Sequence, residues 1–129
     1  MSTDTVKWIV TGAFGLHGVG MMGAAGYLPW SIRSPKGDFV SASWLLGNAL
    51  PAILVGVLVW LVAGAGYVAA AIGFWQGAPW WRTSALVGAV FTLIAIVLWF
   101  RSVPFGVYIG GILAIGTIVY LLNAWLAPV

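Results

Sequence analysis

The chain of 129 residues carries very few side chains able to move a proton, hold a metal or attack a substrate. Its acids are Asp4 and Asp38, its one imidazole is His17, and it has no cysteine. Paired carboxylates for acid–base work therefore cannot be assembled within one bundle of helices. A zinc site lacks its set of His, Cys or acidic ligands, and a nucleophilic triad lacks the carboxylate behind its base. No glycine-rich phosphate loop is followed by its Lys. Without thiols there is neither a disulfide framework nor a thiolate nucleophile.

What remains is His17 and a scatter of neutral polar groups. A single axial imidazole is enough to hold a haem or a chlorophyll-type macrocycle, with Phe14 and Met21, and the abundant tryptophans, lining its apolar faces. The alternative for His17 is a neutral ring hydrogen-bonded to Thr, Asn or a backbone carbonyl on a neighbouring helix. Asn48, Tyr67, Thr92, Tyr108, Thr117, Tyr120 and Asn123 offer hydrogen bonds to a quinone or a lipid headgroup, or simply tie helices together.

The elements that must position these groups follow from composition. Hydrophobic side chains make up 63% of the chain and charged ones 5%, with a mean hydropathy of +1.10, which places it among integral membrane proteins. One crossing needs about 20 apolar helical residues, so the expectation is an all-α membrane four-helix bundle with short loops. The expected spans are 7–27, 51–74, 83–100 and 105–125, forming one transmembrane domain over 1–129, with an interfacial turn at 44–50. The apolar start with one Lys resembles a signal peptide, but the expectation is that it stays as the first crossing.

The breakers set these bounds. The first helix is expected to stop before Pro29 and Trp30, because proline interrupts the hydrogen-bond ladder. Ser31 to Ser43 form the extended polar connection, carrying Arg33, Pro35, Lys36, Gly37 and Asp38. Pro51 opens the second crossing, Gln76 to Arg82 make a tight connection, and Arg101-Ser102-Val103-Pro104 separate the last antiparallel pair. All tryptophans except Trp60 fall near expected helix ends, as interfacial indoles do.

The net charge of +3 is the balance of five cations, Lys7, Arg33, Lys36, Arg82 and Arg101, set singly beside apolar runs, against Asp4 and Asp38. That is the pattern of membrane-edge anchors, not of a nucleic-acid surface, which would cluster its cations on one face. Arg33, Lys36 and Arg101 on one side against Lys7 and Arg82 on the other lean towards cytoplasmic first and third loops.

Small residues supply the packing signal. At 100° per residue, Gly12, Gly15, Gly23 and Gly26 fall within a sector of about 80° on the first helix, and His17 projects roughly 160° from its centre. Ala52, Gly56, Ala63 and Ala70 line the second helix, Ser84, Gly88 and Thr92 the third, and Gly106, Gly110 and Ala114 the fourth. Such faces let backbones approach, either within the bundle or against a partner subunit. If the glycine face packs inside, His17, on a sector with Val10, Phe14, Met21 and Leu28, looks outward to a subunit, a lipid or a planar cofactor.

Phe14-Gly15-Leu16-His17-Gly18 and Gly77-Ala78-Pro79-Trp80-Trp81-Arg82 resemble segments of small bacterial DoxX-like four-helix membrane proteins and related uncharacterised families. The hydrophobic layout of nearly the whole chain is similar. The resemblance implies a location in the bacterial inner membrane and a role beside quinone-linked oxidoreductase complexes, with His17 at the matching position. Absence of a thiol and of a second intramembrane ionisable residue departs from an independent oxidoreductase, and the expected function is a non-catalytic accessory or structural subunit. It would pack in membrane lipid against other integral-membrane subunits or itself and hold lipid, quinone or pigment. The alternatives are a quinone- or haem-linked redox subunit, and a channel or carrier for a neutral solute.

Overall fold

A computed structural model describes residues 2–33, 43–47, 49–99 and 104–126, with side chains described except at 27–33 and 104–107. Four helices follow one another: α1 (Thr3–Arg33), α2 (Leu50–Gln76), α3 (Trp81–Trp99) and α4 (Pro104–Leu126). Each contains a stretch long and apolar enough to cross a membrane. The chain is an all-α, multi-pass membrane bundle.

The helix ends follow local rules. Ser2 caps α1, its hydroxyl accepting the Thr5 N–H at 3.2 Å, while Asp4 in the first turn complements the positive end of the helix dipole. Pro51 sits in the first turn of α2, where its missing N–H costs no helical bond. At the other end Gly77 adopts φ 70°, and Ala78 N–H returns to the Gly73 carbonyl at 2.8 Å. This left-handed closure turns the chain directly into α3.

α1 does not stop before Pro29; it continues to Arg33. Proline removes one N–H from the ladder and crowds the carbonyl four residues back, which bends a helix but need not end it, particularly in a membrane. Of the first connection, Pro35, Lys36, Gly37 and Asp38 lie outside the described residues, as do Asn48 and Arg101-Ser102-Val103. A tight turn is present at its end: Ser43 and Gly47 exchange two backbone hydrogen bonds of 2.9 Å, and the Trp44 indole donates to the Val97 carbonyl in the last turn of α3. That carbonyl would otherwise be one of the unsatisfied groups at a helix end.

α1 packs on α2, α2 on α3 and α3 on α4, whereas α1 and α4 barely touch among the described residues. The closest approaches run through glycine. A Cβ on Gly64 would lie 2.7 Å from the Gly18 carbonyl oxygen, and one on Gly66 would lie 2.7 Å from the Gly88 nitrogen. α2 is therefore held backbone-to-backbone on both sides, and its Ala63, Tyr67 and Ala70 are fully buried.

The face of α1 that enters this packing is not the expected one. Phe14, Gly18 and Ala25 are buried, whereas a Cβ on Gly12, Gly23 or Gly26 would meet nothing within 4 Å, and one on Gly15 only Ala71 at 4.0 Å. The glycine stripe points away from the bundle and the His17 sector points in. Bulk explains the choice: Phe14 reaches Tyr67 and Trp81 at ring distances of 5.4 and 6.4 Å, dispersion contacts that a bare glycine face cannot make.

The start of α1, end of α2 and start of α3 meet in a layer of rings and cations. Trp8 packs edge-on against Trp75 at 4.6 Å, Lys7 Nζ lies over Trp75 at 4.8 Å, and Arg82 lies over Trp81 at 5.9 Å. Such pairs suit the headgroup region, where a ring can be apolar on one side and wet on the other.

Gly18→Ala or Gly64→Ala should lower stability by about 1–3 kcal/mol, the usual range for overpacking, whereas Gly23→Ala should leave it unchanged or slightly raised. Reversible unfolding in mixed micelles measures the difference; equal effects at all three positions would contradict the observed face.

Candidate functional site

Because α1 and α4 do not close on each other, a cleft of about 760 Å³ lies between them, floored by α2 and α3. That volume is within the usual range for a small-molecule site. α1 contributes Leu16, His17 and Met21, α2 contributes Trp60, α3 contributes Thr92 and Trp99, and α4 contributes Gly110, Ile112 and Leu113. The mouth is open on the outer surface of the bundle: Leu16 and Ile112, on opposite rims, are 79% and 74% exposed.

The lining is almost wholly apolar, and its polar groups are unusual. His17 Nε2, Trp60 Nε1 and Thr92 Oγ1 are buried and find no hydrogen-bond partner among the described residues. Trp60 is 6% exposed and Thr92 1%. A threonine in mid-helix ordinarily bonds back to the carbonyl one turn earlier, as Thr117 does to Leu113 at 2.7 Å. Thr92 forgoes that bond. An unmade hydrogen bond at a buried donor costs about 1–3 kcal/mol, so three around one cleft amount to a feature selected against unless something meets them.

Behind the cleft, the helices bring further polar groups together. His17 meets the Tyr67 ring edge-on at 4.9 Å and 85°. The Tyr67 hydroxyl is turned towards Thr117 without completing a hydrogen bond of good geometry. Gly110 makes this convergence possible: a Cβ there would lie 3.1 Å from His17 Cε1 and 3.5 Å from Thr92 Cγ2. Each helix thus delivers one polar side chain to the centre: His17, Tyr67, Thr92 and Thr117.

The residues singled out from the sequence separate into groups. His17 and Met21 line the cleft. Phe14 does not; it belongs to the core with Tyr67, Ala71 and Ala85. Gly56 receives the Trp99 ring, with a Cβ only 2.9 Å from it, Gly88 receives Tyr67, and Ala63 is fully buried. Gly106 lies in α4 where surroundings are not described. Tyr108, Tyr120 and Asn123 are exposed on α4 and take no part in the central group.

A porphyrin-type macrocycle fits poorly. The imidazole is held edge-on against Tyr67 and Gly110, and its Nε2 has no accessible surface, so a metal could not reach that nitrogen unless the ring turned. Among the described residues no three of His, Cys, Asp or Glu gather to hold a metal.

Trp60 and Thr92 were legible as polar groups in the sequence, but not as one site. The signal available was depth: His17, Trp60 and Thr92 each fall near the middle of their helices, whereas the other tryptophans favour the ends.

Comparison with protein-family models, curated proteins and solved structures gives no match. The class is therefore defined by its architecture: a four-helix membrane bundle with an apolar lateral cleft.

Thr92→Val replaces an unpartnered hydroxyl by a methyl of similar shape. It should hold or raise stability, by up to about 1 kcal/mol, in thermal denaturation in detergent; a marked loss would mean that the hydroxyl is bonded after all.

Proposed function

We propose that this protein is a non-catalytic accessory subunit of the membrane that holds a lipid-soluble molecule in the cleft between α1 and α4. The observation that carries the reading is the group of three buried, unpartnered polar atoms on residues lining an otherwise apolar cleft. Apolar walls with a few convergent polar groups are the usual make-up of a ligand site. No carboxylate, amine or thiol lines the cleft, and His17 is its one titratable group.

A role beside other subunits, or further copies of the chain, is supported by the bare stripe of Gly12, Gly23 and Gly26, which leaves α1 a smooth outer face for a neighbouring helix. The DoxX-like resemblance adds a bacterial inner-membrane location to this reading. It also supplies the second reading, a redox subunit using the cleft for quinone, which the placement of His17 at the cleft favours.

Native mass spectrometry of a mild-detergent extract tests the proposal. A small lipid-soluble adduct and partner chains are expected, and Ala24→Trp, which fills the cleft from its α1 wall, should lose the adduct while keeping the partners. A bare chain carrying neither would overturn the reading.

A further inference from the structure

Resting on that reading, we infer that the molecule held in the cleft is a neutral lipid whose head carries a carbonyl oxygen, and that this head lies at mid-depth in the bilayer. Three features lead there. First, the Trp60 indole N–H can only donate, and the Thr92 hydroxyl needs an acceptor to discharge its own proton; both are at least nine-tenths buried and unpartnered. The occupant must therefore bring acceptor atoms. Second, the lining has no Lys, Arg, Asp or Glu, and its one titratable group, His17, is packed against Tyr67 and Gly110. An ionised group placed there would be desolvated without a permanent counter-charge. The head is therefore neutral.

Third, depth separates this occupant from an ordinary phospholipid. His17, Trp60 and Thr92 belong to the middle of α1, α2 and α3, whereas the ester and phosphate oxygens of a phospholipid stay near the interface and only its chains reach mid-depth. Hydrocarbon tails would fill the volume and leave all three polar atoms unmet. A neutral head on a long apolar tail can leave the interface and meet them once the Trp60 and Thr92 side chains turn towards the cleft, since their polar atoms are as enclosed as His17 Nε2. Trp99, buried against Gly56 at the end of α3, closes the cleft on one side and leaves the mid-depth polar atoms as the points of recognition.

Two sources share this chemistry: a quinone, whose ring carbonyls are the acceptors, and a diacylglycerol, whose ester carbonyls are. The test uses the full-length protein in phosphatidylcholine nanodiscs doped in turn with a short-tailed benzoquinone, a diacylglycerol or phosphatidylglycerol. Molecules retained after transfer to detergent are counted by native mass spectrometry. Retention of the benzoquinone identifies the first source and retention of the diacylglycerol the second. In either case Trp60→Phe should weaken retention about tenfold, the equivalent of one lost hydrogen bond. Thr92→Val should do the same, and serves alone if Trp60→Phe fails to fold. Preferential retention of phosphatidylglycerol, or retention indifferent to both substitutions, overturns the inference and leaves the cleft a binding site of another kind. Failure to retain any of the three, with no adduct in the native extract, removes the binding reading itself.

Discussion

The structure depends on how closely α2 can be approached from both sides. In hydrocarbon, helices gain little from excluding water, so their association rests on contact between surfaces. Gly18 against Gly64 on one flank and Gly66 against Gly88 on the other bring main chain to main chain, leaving no room for a single methyl at either crossing. α2 is thereby sandwiched between α1 and α3. α4 rests chiefly on α3, meeting α1 closely where His17 packs on Gly110, and the opening between α1 and α4 follows from that arrangement.

The opening would be unremarkable if its walls were uniformly greasy. Instead it borders three polar atoms without partners, in a solvent that provides none. Proteins are stable by only about 5–15 kcal/mol, so several unmet buried polar atoms at about 1–3 kcal/mol each are a substantial sacrifice. Binding sites commonly carry such local costs. The atoms that weaken the bundle are the ones on which the proposed ligand would be recognised.

The four crossings were legible because composition and length constrain a membrane chain strongly: apolar runs of the required length leave few alternatives. Pro51 at a helix start and Gly77 at a helix end were equally readable, since each acts through its own backbone. Pro29 was not, because whether a proline ends or bends a helix depends on what holds the turns beyond it. The orientation of α1 was misread for a related reason. Gly12, Gly15, Gly23 and Gly26 form the denser small-residue stripe, but Phe14 with Gly18 makes the better contact, and periodicity cannot weigh bulk against smoothness. The cleft itself was invisible, since it arises where α1 and α4 stay apart beyond their one close meeting at His17 and Gly110.

The helices are also unequal. α1 has 31 residues and α3 has 19, so at 1.5 Å per residue they measure about 46 Å and about 28 Å. A hydrocarbon slab about 30 Å thick accepts α3 almost upright, whereas α1 must lean or protrude. Since α1 is fastened to α2 where Gly18 meets Gly64, its lean swings about that point and carries one wall of the opening with it. Where α1 accommodates its extra length by leaning and not by protruding, the width of this gap varies with the thickness of the surrounding bilayer.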